Sequence, residues 1–279
     1  MVLDRRQFLA GALAQTLNSA FNGVTVGVHS YSFRDRPLDR AIEALVELGV
    51  GECDLGGIHI EPARGGKDYA QKLTAFRMSA PLADFEAIGR KFRAAGIRIA
   101  NYTYNFWGGT DAELDRGFEM ARALGAASIA MSTRVSLAKQ VDAAARRAKM
   151  RAGLHNHSRI QPDQLATPED FAAALRGASG YLSITLDVGH FVAAGFDPIP
   201  FLREHHGRIL SLHLKDRKKN QGATVPFGEG DVPLAALLRL IRDSRYRIPA
   251  YIEHEYASDN PVEEVRKGLA YCKRALTEA

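Results

Sequence analysis

The chain has 279 residues, 46% hydrophobic and 25% charged, with a formal net charge of +5. That suits one large α/β domain or two small ones, and no apolar run approaches the ~20 residues of a membrane span. The two cysteines, Cys53 and Cys272, have no CxxC or zinc-finger spacing, which argues against a disulfide framework and for two core thiols.

Lys and Arg are scattered, with short clusters only at DRKK and ARRAK, so the positive balance reads as solvated helix faces. The N-terminus is read separately. Arg5-Arg6, then Phe8-Leu9 and small apolar residues, resemble a twin-arginine export signal over residues 1–22. The apolar part is brief, Gln15 and Asn18 interrupt it, and no small-x-small cleavage site follows; an amphipathic N-terminal helix is the alternative. Export places the protein in the periplasm; otherwise it is cytoplasmic.

From residue 23 to 279 the chain alternates strands with helices. VTVGVHSY (24–31) is a β-branched strand, and PLDRAIEALVELG (37–49) a helix with Pro37 at its start and Gly49 at its stop. A weaker strand at 49–57 leads into an irregular Gly-rich stretch to about Met78, then a helix at 82–96 and a strand at 97–104. Helix 111–125 precedes strand 126–132, and helix 136–150 precedes RAGLHNH. Thr167, Pro168 and Asp170 open the next helix as N-cap, first helical position and capping-box partner. YLSITLDVGH, RILSLHLKD and IPAYIEHEY follow as strands, separated by helices, and PVEEVRKGLAYCKRAL closes the chain as a helix. Eight strands alternating with helices in this length predict the α/β class and a single (β/α)8 TIM barrel. A doubly wound sheet is the runner-up; it places a Gly-rich phosphate turn after its first strand, which HSYSFRDRP is not.

Barrel enzymes build their sites at the C-terminal ends of the strands. His155, Asp187, His213 and Glu253 end four consecutive strands, 32, 26 and 40 residues apart, about one βα unit each time. Two imidazoles and two carboxylates converging there predict a site for one divalent ion, Mn, Co, Fe or Zn. His157 shares a strand face with His155, because side chains alternate with a period of two. His157 and Glu253 are base candidates, with His190 as partner acid. His29 ends the first strand, Trp107 lies just beyond the third, and Glu255 stands two residues beyond Glu253 at the mouth of the eighth; all three are expected to touch substrate, with a plain rim charge the alternative for Glu255. Tyr102, Tyr104, Phe106 and Trp107 read equally as a platform for a sugar ring, with Tyr104 a substrate contact, or as core aromatics.

LDVGH, HLKD and IEHE resemble the xylose isomerase-like TIM-barrel superfamily of sugar phosphate isomerases and epimerases, ketose 3-epimerases, inosose dehydratase and AP endonucleases, over roughly residues 24–276. The resemblance implies Asp187, His213 and Glu253 as metal ligands, His190 against substrate or a second metal, and Lys215 on a substrate oxygen. It implies a metal-dependent isomerase or epimerase working by proton abstraction beside a carbonyl of a small-molecule sugar. The alternatives are a lyase or dehydratase on a keto-sugar or keto-glycoside and a non-catalytic sugar-binding barrel. An AP-endonuclease-like phosphodiesterase is least favoured: NYTYN has no histidine and Ser211-Leu212-His213 lacks that group's Asp-x-His, so no nucleic acid is expected. Membrane association is not expected either, and a homo-oligomer is left open. Many members carry a glutamate ligand where this chain has His155. The ligand charge falls from −3 to −2, and a symmetric pair of metal-bound glutamates is lost.

Overall fold

Eight parallel strands close on themselves in the computed structural model, which describes residues 17–278. They are β1 (Val24–His29), β2 (Glu52–Gly56), β3 (Arg98–Thr103), β4 (Ser128–Met131), β5 (Ala152–His155), β6 (Leu182–Asp187), β7 (Ile209–Leu214) and β8 (Ala250–Ile252). Neighbours follow chain order. The barrel shuts through β8 on β1, with Ile252 opposite Val28, and β1 on β2, with His29 opposite Asp54. This is the expected single (β/α)8 barrel. Strands covered on both faces need no polar side, so runs such as SIAM are buried throughout.

The helices form the outer layer. β1 leads to α1 (Leu38–Glu47), β2 to α2 (Tyr69–Ser79) and α3 (Leu82–Ala94), and β3 to α4 (Asp111–Leu124). β4 leads to α5 (Ala138–Ala148), β5 to α6 (Pro168–Leu175), and β6 to α7 (Val188–Ala193) and α8 (Pro198–His205). β7 leads to α9 (Leu234–Asp243) and β8 to α10 (Pro261–Thr277). Thr167 and Asp170 form the expected capping box. Cys53 and Cys272 are buried and unpaired, as expected.

Two helices differ from the sequence expectation. Helix α2 occupies the end of the stretch read as irregular. Its buried residue is Arg77, not an apolar stripe, so hydrophobic periodicity gives no signal. The Arg77 guanidinium pairs with Glu61 at 2.8 Å and Glu113 at 3.4 Å, and covers the Tyr104 ring at 3.8 Å. Helix α7 starts directly after β6, because the Asp187 side chain accepts the His190 N–H and caps it.

The export-signal arginines and apolar run lie outside the described residues. Leu17 to Asn22 are described, and they pack on the barrel. Ser19 Oγ accepts the Gly51 and Glu52 N–H groups, and Ala20–Phe21 pairs antiparallel with Val24–Thr25. These contacts are made from within residues 1–22, the stretch read as an export signal. Among the described residues no helix is long and apolar enough to cross a membrane.

Candidate metal centre and active site

β5 and β6 end on His155 and Asp187, β7 presents His213 one residue before its end, and Glu253 follows β8 directly. Asp187 and His213 are register partners. One ligand-type atom from each of the four residues lies within 4.8 Å of the others. In three of these residues a ligand-type atom, Asp187 Oδ2, His213 Nδ1 and Glu253 Oε2, is buried with no hydrogen-bond partner. His155 Nε2 is 3.6 Å from Asp187 Oδ2. His213 Nδ1 and Glu253 Oε2 are 3.1 Å apart but out of line for a hydrogen bond, so both face one shared space. None of the three makes a hydrogen bond although all are buried, which fits a cation bound between them. Asp187 divides its labour: Oδ1 caps α7 and Oδ2 is left over.

A cationic group already uses the same oxygens. The buried Lys215 ammonium is 3.1 Å from Asp187 Oδ2, 3.4 Å from Glu253 Oε2 and 2.7 Å from Glu255 Oε2. Burial opposes its charge, but the three carboxylates outweigh burial and hold its pKa above the ordinary lysine range. The Asp187 and Glu253 carboxyls stay well below the usual carboxylate range. Burial pushes both up, and the cationic neighbours, Lys215 foremost for Glu253, outweigh it.

His29, Asp54 and His213 form a second group of ligand-type residues. Its hydrogen bonds are already complete. Asp54 Oδ2 accepts from Asn101 Nδ2 at 2.8 Å and faces His213 Nε2 at 3.1 Å, and Oδ1 accepts from Thr103 Oγ1 at 3.0 Å. His29 Nδ1 accepts the Tyr31 N–H, so its proton sits on Nε2 and reaches Thr103 Oγ1 at 3.0 Å. Burial lowers the His29 pKa to about 4, and the ring is neutral. The group therefore acts as a brace: Asp54 holds Nε2–H of His213 and turns Nδ1 toward the shared space. Burial opposes a charge on His213, but the Asp54 and Glu253 carboxylates on its two sides hold its pKa up at about 10. The sequence places Asp54 at the end of the second strand but gives it no role in the site.

Above these residues lies a cavity of about 220 Å³ walled by His29, His155, His157, His190 and His213, with Glu253, Glu255 and Arg64. A hollow between α6 and α8 is larger, about 450 Å³, but it brings no ligand-type cluster together. His157 Nε2 is 3.1 Å from Ser132 Oγ, and burial, then the neighbouring His155, lowers its pKa to about 4. His190 Nδ1 accepts from Arg217 at 2.8 Å, and its Nε2 is 3.8 Å from Asp187 Oδ2. Burial holds His190 well below the ordinary histidine range, so it too is neutral. Trp107 does not line the cavity; it is 45% exposed, its ring 6.1 Å from that of His157.

Tyr104 is not brought to the cavity. Along β3 the odd residues face inward, Asn101 and Thr103 on Asp54, and the even ones face the helices. Tyr104 continues the even series. It is fully buried, its hydroxyl donates to the Glu113 carbonyl at 2.8 Å, and its ring fills the space left by Gly117 of α4. Tyr102 is likewise outward, its hydroxyl on Glu61 at 3.3 Å. The expectation that Tyr104 touches substrate is corrected by this parity.

A sequence profile described as xylose isomerase-like TIM barrel matches residues 84–275, and the chain belongs to that family. L-ribulose-5-phosphate 3-epimerase UlaE of Salmonella paratyphi A is 32% identical over 94 residues, a match that spans 33% of either chain. The structure of 3-keto-D-glucoside 4-epimerase YcjR from E. coli superposes with a TM-score of 0.68 at 15% identity, covering 90% of this chain and 99% of that one. An IolI protein with a bound zinc atom superposes at 0.64 and 13% identity, covering 90% and 96%. These structural likenesses are of fold.

Proposed function

We propose that the protein is a divalent-metal-dependent isomerase or epimerase of a sugar or keto-sugar that removes a proton from the carbon beside a carbonyl. The observation that carries this reading is the convergence of Asp187 Oδ2, His213 Nδ1 and Glu253 Oε2, buried and without a hydrogen bond, with His155 Nε2 beside them at the floor of an imidazole-walled cavity. Those four residues hold the ion, and their N/O set suits Mn, Co, Fe or Zn. Once bound, such an ion supplies Lewis acidity that stabilises negative charge building on a carbonyl oxygen.

The chain's own groups do the rest. Glu253 is the proton acceptor; it stays ionised, and its Oε1 is 3.9 Å from the neutral His29 ring. Arg217 donates to His190 Nδ1, which puts the proton of the neutral ring on Nε2; Nε2 lies 3.4 Å from Lys215 Nζ and 3.8 Å from Asp187 Oδ2, so the proton becomes available to substrate where Lys215 turns away. Lys215 and Glu255 bind substrate oxygens, and Trp107 offers a face to the sugar ring. His157 gives or takes a proton according to its tautomer. The epimerase activities of UlaE and YcjR support the substrate class, and the zinc of IolI supports the metal. The Arg5-Arg6 run supports twin-arginine export to the periplasm.

A lyase acting on a keto-sugar is the second reading. It is favoured by His155 at a position where a carboxylate would give a proton acceptor on the opposite side of the substrate. Elimination needs one acceptor, whereas epimerisation returns the proton from the other face. The test is to load the protein with metal, incubate it in D2O with keto-sugars, and follow exchange by NMR. Deuterium at the α-carbon is expected; loss of a β-substituent selects the lyase. Bound metal without exchange leaves a sugar-binding barrel, and no bound metal by elemental analysis sinks both enzyme readings.

A further inference from the structure

Ser132 follows β4 directly and is 5% exposed. Its backbone is pinned on both sides: its N–H donates to Asn105 Oδ1 at 3.1 Å and its carbonyl accepts the Phe106 N–H at 3.0 Å. The side chain therefore has a defined place, between two histidines. Ser132 Oγ is 3.3 Å from His155 Nδ1 and 3.1 Å from His157 Nε2. The two rings meet edge to face, 5.2 Å apart.

A neutral imidazole carries one proton. If His155 gives its Nε2 lone pair to an ion, its proton sits on Nδ1, and the partner there is Ser132 Oγ. A hydroxyl that accepts from one neighbour turns its own hydrogen to the other. That other neighbour is His157 Nε2, which then accepts, and the His157 proton is left on Nδ1.

We infer that Ser132 is a positioning residue that locks His155 in its metal-binding tautomer and relays that choice to His157, so that His157 enters the cavity as an Nδ1–H hydrogen-bond donor. The chain runs in one direction, from His155 Nδ1–H to Ser132 Oγ–H to His157 Nε2. Proton abstraction then falls to Glu253, and His157 joins His190 in donating to substrate oxygens. Ser132 thus does for His155 what Asp54 does for His213. The inference rests on the proposed ligation by His155.

The test uses the full chain, zinc as the probe, a competing chromophoric chelator to read affinity, and 15N NMR of the histidine rings. Partners of this kind change metal affinity by about 10–100-fold. Ser132→Ala is expected to weaken zinc binding by that factor and to release His157 from the Nδ1–H form. Ser132→Thr keeps the hydroxyl and is expected to restore both. A Ser132→Ala protein with wild-type zinc affinity and unchanged ring-nitrogen signals overturns the inference, as does a zinc-loaded wild type with the His157 proton on Nε2. A His155→Ala protein that binds zinc like the wild type refutes the ligation itself, a separate failure that takes this inference with it.

Discussion

His213 makes a sharp prediction about metal uptake. Its Nδ1 faces the shared space, and its pKa is held at about 10, burial opposing the charge and the Asp54 and Glu253 carboxylates outweighing it. Near pH 7 the metal-free ring is therefore an imidazolium, and a metal must displace its proton. Three pH units below the pKa, about one ring in a thousand is free to ligate, a penalty of about 4 kcal/mol at 1.36 kcal/mol per unit. Apparent zinc affinity should rise about tenfold per pH unit above pH 7 and level off as pH passes 10. The assay is isothermal titration calorimetry at several pH values, in paired buffers of different ionisation enthalpy. About one proton should be released per zinc near pH 7.5. Flat affinity from pH 7 to 9 with no buffer-dependent heat would refute both the charge on His213 and its ligation through Nδ1. The stability of the metal-free protein carries the same sign. The folded pKa lies above the unfolded value of 6.5, so the His213 contribution is full below 6.5 and is lost as pH rises through about 10.

Asp54→Ala removes the acceptor that turns His213 and also one of the two carboxylates that raise its pKa, so the proton competition weakens while the orientation is lost; zinc affinity corrected for the protons released per ion should drop about 10–100-fold by chelator competition. Arg77→Met leaves Glu61 and Glu113 buried without their cation, and urea unfolding should show a loss of about 3–5 kcal/mol. Trp107→Ala should change stability by no more than about 0.5 kcal/mol, because the ring is 45% exposed, while KM for the sugar rises; an unchanged KM removes Trp107 from the site. If the proposed export holds, wild type should appear in the periplasmic fraction on cell fractionation and a variant with Arg5 and Arg6 replaced by Lys in the cytoplasmic one; wild type in the cytoplasmic fraction refutes export.

The four converging residues were readable because barrel topology turns a local property, the last residue of a strand, into a global one. His155, Asp187, His213 and Glu253 needed only the strand ends and a spacing of one βα unit. Tyr104 was misread because its identity says nothing of which face it takes; inward-facing Asn101 and Thr103 fix the parity of β3. Helix α2 was missed because an ion cluster, not an apolar stripe, buries its inner face. Helix α7 was missed because one carboxylate both caps it and faces the centre.

What the sequence by itself determined is the alternation of strands and helices, the barrel it implies, and which strands end in groups able to hold a divalent ion. Only the tertiary structure decided the partners: Asp54 behind His213, Ser132 between His155 and His157, Arg217 behind His190, and Lys215 among three carboxylates. Asp54 and His213 are 159 residues apart. Strand ends follow from local patterns, but a hydrogen-bond partner is selected by the register of strands that meet only when the barrel closes. The direction in which each imidazole carries its proton, and hence the chemistry it offers, follows from those long-range pairings.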